Sequence, residues 1–205
     1  MLEMKPINDK NWQALRPVEV KKLLEHLTIP WWIAGGWAID IFIGKQTREH
    51  LDIDVLILRK DQFIIKEFLS EWLLYKTNQP GLALWNKKEF LEIGANSIWC
   101  KKNEHSPWLM EIMLMDSEDN EWFYRREPKI RGPLNQLGYK SKDNISYLAP
   151  EVQILFKAKR YSIVKNEQDF QNVIPLLSEQ QKKWLINSLN IEFPNGHKWI
   201  DNIKL

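Results

Sequence analysis

The stretch that decides the fold covers residues 31–58 and reads WWIAGGWAIDIFIGKQTREHLDIDVLIL. It opens on four apolar residues that predict a short buried strand, which the Gly35-Gly36 pair ends sharply. The apolar face that follows predicts a helix closed by a C-cap at Gly44. Residues 50–58 are rich in Ile, Val and Leu and predict a second strand. The order is therefore strand, glycine corner (Gly35-Gly36), helix, strand.

Two carboxylates, Asp52 and Asp54, lie on this second predicted strand. Residues i and i+2 of a strand point to the same face, so the two acids are expected side by side. Crowded carboxylates repel each other, and burying an unpaired charge is costly. A bound Mg²⁺ removes both difficulties, because this ion prefers oxygen ligands and commonly uses one or two carboxylates with substrate phosphates. An alternative is an exposed pair at a strand start, salt-bridged to Arg48 or Lys45.

The glycine corner adds a second part of a site. Backbone N–H groups and the helix dipole at a strand-to-helix junction form an anion cradle. Without a Cβ, the chain at Gly35 and Gly36 can approach a phosphate closely. Taken alone, the pair is also explained by an ordinary tight turn. Together with Asp52 and Asp54 on the neighbouring strand, it predicts a nucleotide–metal site.

The remaining sequence changes character after Pro150. Before it, the pattern predicts helices over 17–27 and 61–75, strands over 82–85, 90–99, 108–115 and 122–124, and polar connections over 116–120 and 129–144. After it, the pattern predicts three helical segments, 151–160, 168–177 and 179–189. We therefore expect an α+β fold, with one domain over residues 1–145 and a helical C-terminal subdomain over residues 146–205.

Composition limits the class of protein. The 205 residues are 44% hydrophobic and 27% charged, as in globular proteins. The net charge of +2 is too balanced to predict nucleic acid or an anionic membrane as a partner. No apolar stretch reaches the roughly 20 residues of a membrane span, and the polar start lacks a secretory signal, so we expect a cytoplasmic protein. The single cysteine, Cys100, excludes an internal disulfide and a multi-cysteine zinc site.

The glycine corner, helix and Asp-hydrophobic-Asp strand resemble the signature of the DNA polymerase β-like nucleotidyltransferase superfamily. The strings GGWAID (35–40) and TREHLDIDV (47–55) resemble, more specifically, the aminoglycoside and lincosamide nucleotidyltransferase group of antibiotic-resistance enzymes. The strings YLAPEVQILFKAK (147–159) and KNEQDF (165–170) resemble the helical half of uncharacterised relatives of that group. The resemblance spans roughly residues 31–199. It implies a mixed sheet flanked by helices, with a C-terminal helical subdomain.

The resemblance implies a third carboxylate on a neighbouring strand. Glu111 is the best candidate, since it is a lone charge in an apolar strand run and needs a partner. Asp116 is the second candidate, and a surface-facing strand position is an alternative explanation for Glu111. The family more often has Asp than Glu among its metal carboxylates. On this reading Asp52, Asp54 and Glu111 are the catalytic and metal-binding residues, and Glu111 accepts or guides the hydroxyl proton.

The triphosphate of the nucleotide needs cations and backbone donors around it. The residues expected to contact it are Gly35, Gly36, Arg48, Lys157 and Lys159. Solvated helix faces are the alternative explanation for both lysines. His50 precedes the strand and is more simply explained as a structural histidine.

The chain contains 11 tryptophans, which suit either a thick core or a cleft that stacks on cyclic ligands. We expect four aromatic residues to line the acceptor cleft: Trp85, Trp99, Trp122 and Tyr124. The nearby acids Glu118, Asp119 and Glu121 would suit a cyclic or cationic acceptor. Core packing explains the aromatics equally well, and acidic runs are usually solvated.

The resemblance implies a Mg²⁺-dependent nucleotidyltransferase that moves AMP from ATP to a hydroxyl of a small molecule, such as an aminoglycoside-like or lincosamide-like antibiotic. One alternative is a toxin-like enzyme acting on a protein or tRNA, against which the near-neutral charge argues. Another is a degenerate nucleotide-binding module, which would need no paired metal carboxylates. The acceptor, the nucleotide preference and the oligomeric state are left open by the sequence.

Overall fold

The computed structural model describes residues 5–6, 11–78, 81–86 and 88–205. Its strands are β1 (Lys5–Pro6), β2 (Trp31–Ala34), β3 (Asp54–Leu58), β4 (Leu73–Asn78), β5 (Gly81–Leu84), β6 (Ser97–Lys101), β7 (Met110–Glu118), β8 (Glu121–Phe123), β9 (Arg131–Pro133), β10 (Gly138–Lys140) and β11 (Ser146–Leu148). Its α-helices are α1 (Pro17–Leu23), α2 (Gly35–Ile43), α3 (Gln62–Phe68), α4 (Pro150–Ala158), α5 (Val164–Val173) and α6 (Glu179–Glu192).

The strands form one mixed sheet in the order β1-β5-β4-β6-β7-β3-β2-β11-β10, and β8 and β9 continue from the far part of β7. β3 is parallel to β7, whereas its other neighbour β2 is antiparallel. Residues 55–58 of β3 are all buried, since this strand lies in the middle of the sheet and is covered on both faces. Burial on both faces explains why the sequence of β3 is continuously apolar after its first residue.

Helix α2 packs on β2 and β11 of the sheet, and α4 and α5 of the second half pack on α2. The last described residues return to this helical layer through Trp199, whose ring stacks on Phe170 of α5 at a centroid distance of 4.4 Å. The indole Nε1 of Trp199 also donates a hydrogen bond to Glu167 Oε2 at 2.8 Å. Trp199 and Phe170 are almost fully buried, so this pair ties the end of the chain to α5.

The α+β class with a mixed sheet and a helical C-terminal part is confirmed. The strand over residues 31–34 is confirmed, and Gly44 ends α2 with a left-handed φ of +83°. The three helices after Pro150 are also present. β11, at the start of the proposed subdomain of residues 146–205, pairs in parallel with β2 in the sheet.

The prediction of a strand over residues 50–58 was wrong at its start, because β3 begins only at Asp54. The preceding segment is irregular, since its side chains are used elsewhere: His50 Nε2 lies 2.5 Å from Asp40 Oδ2. Asp52 consequently lies in the connection before β3 and is exposed.

Five other predicted ranges were also partly wrong. α1 ends at Leu23, and α3 ends at Phe68, where the chain turns and enters β4 to pair with β5 and β6. Residues 90–96 form a loop. The guanidinium of Arg59 donates hydrogen bonds to the backbone carbonyls of Leu91, Glu92 and Ala95, which are therefore not paired with a neighbouring strand. The expected connections 116–120 and 129–144 contain the end of β7 and all of β9 and β10, whose apolar content is too low to reveal a strand.

Within the part of the chain that the structure describes, no helix has the length and apolar character required to traverse a bilayer.

Replacing Trp199 by alanine is expected to lower the free energy of unfolding by about 3–5 kcal/mol, because the ring leaves a cavity against Phe170. Leu176→Ala is the control: this residue is 54% exposed in the same half of the chain, and its loss should cost about 0.5 kcal/mol or less. Urea denaturation followed by circular dichroism measures both values. A cost below about 1 kcal/mol for Trp199→Ala would show that the pair does not secure the chain end.

Candidate active site

The sheet places two carboxylates side by side on neighbouring strands. Asp54 is the first residue of β3, and its partner in the parallel register with β7 is Glu111. On its other side Asp54 is paired with Ala34, the residue directly before Gly35 and the start of α2. The glycine corner, Asp54 and Glu111 therefore follow one another across three adjacent strands.

Asp54 is an acid in an unfavourable environment for its charge. Burial raises its pKa well above the ordinary value, and the neighbouring Glu111 and Asp52 raise it further. Lys157 and Lys165 oppose this effect but do not cancel it. The three acids are therefore close enough to repel one another, although Asp52 lies outside the strand.

Glu111 is oriented by a donor from β6. The hydroxyl of Ser97 donates to Glu111 Oε1 at 2.6 Å, and the indole of Trp99 lies near enough to the same carboxylate to lower its pKa. Burial nevertheless raises the pKa of Glu111, and the charge of Asp52 adds to this rise. A carboxyl group with a raised pKa that is fixed in orientation is suited to accept a proton near neutral pH.

The donor set of this site consists of carboxylate oxygens, the ligands that Mg²⁺ prefers. Among the described residues, no three His, Cys, Asp or Glu side chains are arranged as a closed set of metal ligands. Glu111 is instead turned to Ser97. A divalent cation would remove the repulsion among Asp52, Asp54 and Glu111, so the residues fit a site that substrate phosphates complete.

Gly35 is required for close approach. Its φ of +66° belongs to the left-handed region, and a Cβ at this position would overlap the Oδ2 atom of Asp54. Its N–H group donates to the buried Oε1 atom of Gln153 at 2.7 Å. This N–H group therefore fixes α4 against the corner, and Gly35 contributes to the site chiefly by leaving room for Asp54.

Arg48, in the connection between α2 and β3, is held by a buried acid. Asp169, which is 1% exposed, accepts two hydrogen bonds from Arg48, both at 3.2 Å. The same carboxylate pairs with Lys157 Nζ at 2.9 Å. A Cβ on Gly36 would overlap the guanidinium of Arg48, so this cation lies directly over the corner. Two of the predicted nucleotide contacts, Arg48 and Lys157, are thus brought together beside Asp54.

Other predicted residues lie elsewhere. Lys159 is exposed directly after the end of α4, where its charge acts on Glu192. Asp116, the second candidate for the third carboxylate, is buried in an ion pair with Arg59 at 2.5 Å. This pairing gives Asp116 a structural role. His50 is likewise paired with a buried acid, Asp40, and is structural as expected.

The four aromatic residues do not form one cleft. Trp85 is buried and donates its indole N–H to the carbonyl of Glu89. Trp122 packs on Trp184 beside a separate cavity of about 750 Å³. Trp99 and Tyr124 are near Glu111: the first lowers the pKa of its carboxyl group, and the second lines a cavity with it.

Four residues of the site were not predicted from the sequence to contribute to it: Ser97, Gln153, Lys165 and Asp169. Gln153 and Lys157 are four residues apart on α4, so a helical wheel places them on one face. Lys165 and Asp169 have the same spacing in α5, inside the string KNEQDF. Ser97 carried no signal, because a single hydroxyl in a strand has many ordinary explanations.

Comparison with known proteins gives a family match for part of the chain. A family model described as aminoglycoside-2''-adenylyltransferase matches residues 17–89. A curated lincosamide resistance protein of Staphylococcus haemolyticus is 52% identical over 33 residues, 16% of this chain and 20% of that protein. A 2''-aminoglycoside nucleotidyltransferase of Escherichia coli is 59% identical over 27 residues, 13% of this chain and 15% of that protein. The matched segments thus span a fifth or less of these relatives.

Solved structures extend the likeness in fold to most of the chain. The crystal structure of ANT(2'')-Ia in complex with adenylyl-2''-tobramycin has a TM-score of 0.55 and 14% identity, covering 84% of this chain and 95% of that one. The lincomycin-bound lincosamide antibiotic adenylyltransferase LnuA has a TM-score of 0.51 and 22% identity, covering 76% and 92%. The resemblance stated from the sequence is confirmed: residues 17–89 match the aminoglycoside-2''-adenylyltransferase family model, and the chain has the fold of these two solved nucleotidyltransferases.

Proposed function

We propose that this chain is a Mg²⁺-dependent nucleotidyltransferase that moves AMP from ATP to a hydroxyl of a small molecule. The observation that carries the proposal is the pair of carboxylates, Asp54 and Glu111, held in register on adjacent strands beside the glycine corner with too little positive charge to neutralise them. Burying uncompensated charge lowers the stability of the folded protein. Such a pair of acids is therefore expected where it has a function.

Asp52, Asp54 and Glu111 are the residues that would hold divalent cations. Such ions, when bound, stabilise charge on the attacking and leaving oxygens of a phosphoryl transfer. The acceptor hydroxyl bonds to the α-phosphorus, its proton passes to Glu111, and the bond to pyrophosphate breaks with its electron pair leaving on pyrophosphate. The raised pKa of Glu111 supports this proton transfer, since a base matched to the working pH is the most effective one.

The triphosphate belongs on the side of Asp54 that faces the helical half. Lys157 and Lys165 both act on Asp54 from that side, and Arg48 lies over Gly36. Asp169 holds Arg48 and Lys157 next to each other, so their long side chains lose little entropy on meeting a phosphate. Lys159 has no contact that supports its predicted role.

The acceptor class is proposed from the relatives. One structural neighbour was solved with adenylyl-2''-tobramycin and another with lincomycin, and a curated relative is named for lincosamide resistance. We therefore propose an aminoglycoside-like or lincosamide-like acceptor.

Asp54→Asn is expected to reduce AMP transfer at least about a hundredfold, the scale of losing one electrostatic group aimed at the transition state. The measurement is transfer of label from ATP to a panel of hydroxyl-bearing antibiotics in Mg²⁺. Asp201→Asn is the matched control, since Asp201 is an exposed acid in the short helical turn Ile200–Asn202 and has no expected role in the site. Unchanged transfer by Asp54→Asn would refute the proposed role of this acid.

The same variant is expected to be more stable than the parent protein in a chelating buffer at pH 7. Because the folded-state pKa of Asp54 is raised above its ordinary value of 3.8, its charge destabilises the fold above that raised pKa. Below 3.8 the carboxyl is protonated in both folded and unfolded chains, and the difference should vanish. Urea midpoints measured across this range test the sign, and a variant less stable than the parent at pH 7 contradicts it.

Gly35→Ala is expected to reduce transfer strongly, because the new methyl group displaces the carboxylate of Asp54. Gly44→Ala is a matched control: Gly44 also has a positive φ, +83°, but no atom lies within 4 Å of its would-be Cβ. Both variants should lose about 1–2 kcal/mol of stability from backbone strain, and only Gly35→Ala should lose activity. Equal activity in the two variants would show that the contact with Asp54 is dispensable.

A further inference from the structure

A small cavity extends from Glu111 along the sheet. Its volume is about 180 Å³, and Glu111 and Met113 of β7 line it on one side. Phe156 of α4 and the connection after β8, with Tyr124 and Arg125, line it on the other. At roughly 30 Å³ per water molecule, it has room for one ring or a short polar group of a larger molecule.

This cavity is placed to receive the acceptor. Across the sheet, the glycine corner after β2 comes first, then Asp54 on β3, then Glu111 on β7. The triphosphate cations Lys157 and Lys165 act on Asp54. Residues 111 and 113 point to one face of β7, so the cavity continues from the carboxylate of Glu111 on that face.

Most charges around the cavity are already paired. Asp116 pairs with Arg59 at 2.5 Å. Arg126 donates to the hydroxyl of Tyr124 at 2.6 Å and lies 3.9 Å from Glu192. These two pairs therefore add little net charge to the space between them.

Arg125 differs from its neighbours. Within the described residues, its guanidinium has neither an ion pair nor a hydrogen bond, although it lines the cavity. Partial burial of the guanidinium lowers its pKa, as do the positive charges of Arg126 and Arg59, whereas the charge of Asp116 raises it. The residue as a whole is exposed, and a guanidinium keeps its charge in such surroundings. The cavity is therefore lined by one positive charge that has no hydrogen-bonded partner among the described residues, together with the carboxylate of Glu111.

We propose that Arg125 determines acceptor specificity and makes this side of the site reject polyamines. A lincosamide-like acceptor, with few amines, is then favoured over an aminoglycoside-like one, because like charges placed close together repel each other. This inference rests on the proposed function in one respect, namely that the cavity beside Glu111 receives the acceptor.

The test compares tobramycin, a polycation, with lincomycin. Binding of each is measured by isothermal titration calorimetry with a non-hydrolysable ATP analogue and Mg²⁺, and kcat/KM is measured for AMP transfer. The parent protein is expected to prefer lincomycin. Arg125→Glu is expected to bind tobramycin at least about tenfold more tightly than the parent does, with a smaller gain at high salt. Arg125→Gln should shift affinity in the same direction by less, and serves if the charge reversal impairs folding.

Lys129→Glu is the matched control, because Lys129 is exposed in the same connection between β8 and β9 and does not line the cavity. Its tobramycin affinity should stay within about twofold of the parent value, since Lys129 lies outside the lining of the cavity that the acceptor would enter. The inference fails if the parent prefers tobramycin, or if both Arg125 variants bind it no better than Lys129→Glu does. The binding measurements need no turnover, so absence of AMP transfer to every acceptor would refute the proposed function alone.

Discussion

The repulsion between carboxylates at one point of the sheet is the constraint on which the rest of the site depends. In the parallel pairing of β3 with β7, Asp54 lies opposite Glu111. This register is fixed because the apolar residues that follow Asp54 are buried in the core. The register cannot slip by one residue without turning buried side chains to solvent. Hydrophobic packing along β3 therefore imposes an electrostatic cost at its first residue, and the proposed cations offset that cost.

Buried acids elsewhere in the chain show how charge is handled when it is structural. Asp40 meets His50, Asp116 meets Arg59, and Asp169 meets two cations. Each is nearly inaccessible and has its countercharge within hydrogen-bonding distance. In the part of the chain that the structure describes, no cation lies within hydrogen-bonding distance of Asp54 or Glu111, although Lys157 and Lys165 act on Asp54 from farther away. This contrast within one molecule separates the site from the scaffold.

The sequence was sufficient to predict the glycine corner, β2 and α2, because these features depend on local patterns: an apolar run and two glycines. An acid on a strand next to Asp54 was implied by the family resemblance, and the position of Glu111 as a lone charge among apolar residues made it the best candidate. The sequence was insufficient for Asp52, whose place outside the strand follows from long-range contacts of His50 with Asp40. The partners of Arg59 and the aromatic positions likewise depend on distant segments, so no local pattern reveals them.

The hydrogen bond from the Gly35 N–H group to Gln153 joins parts of the chain that are 118 residues apart. Gln153 belongs to the helical half, whereas Gly35 begins the helix that leads to the acids. In recombination between relatives, a crossover between these two positions would separate a buried donor from its acceptor. Chimaeras of this group should therefore inherit α2 and α4 from the same parent, and the two halves are better regarded as one evolutionary unit.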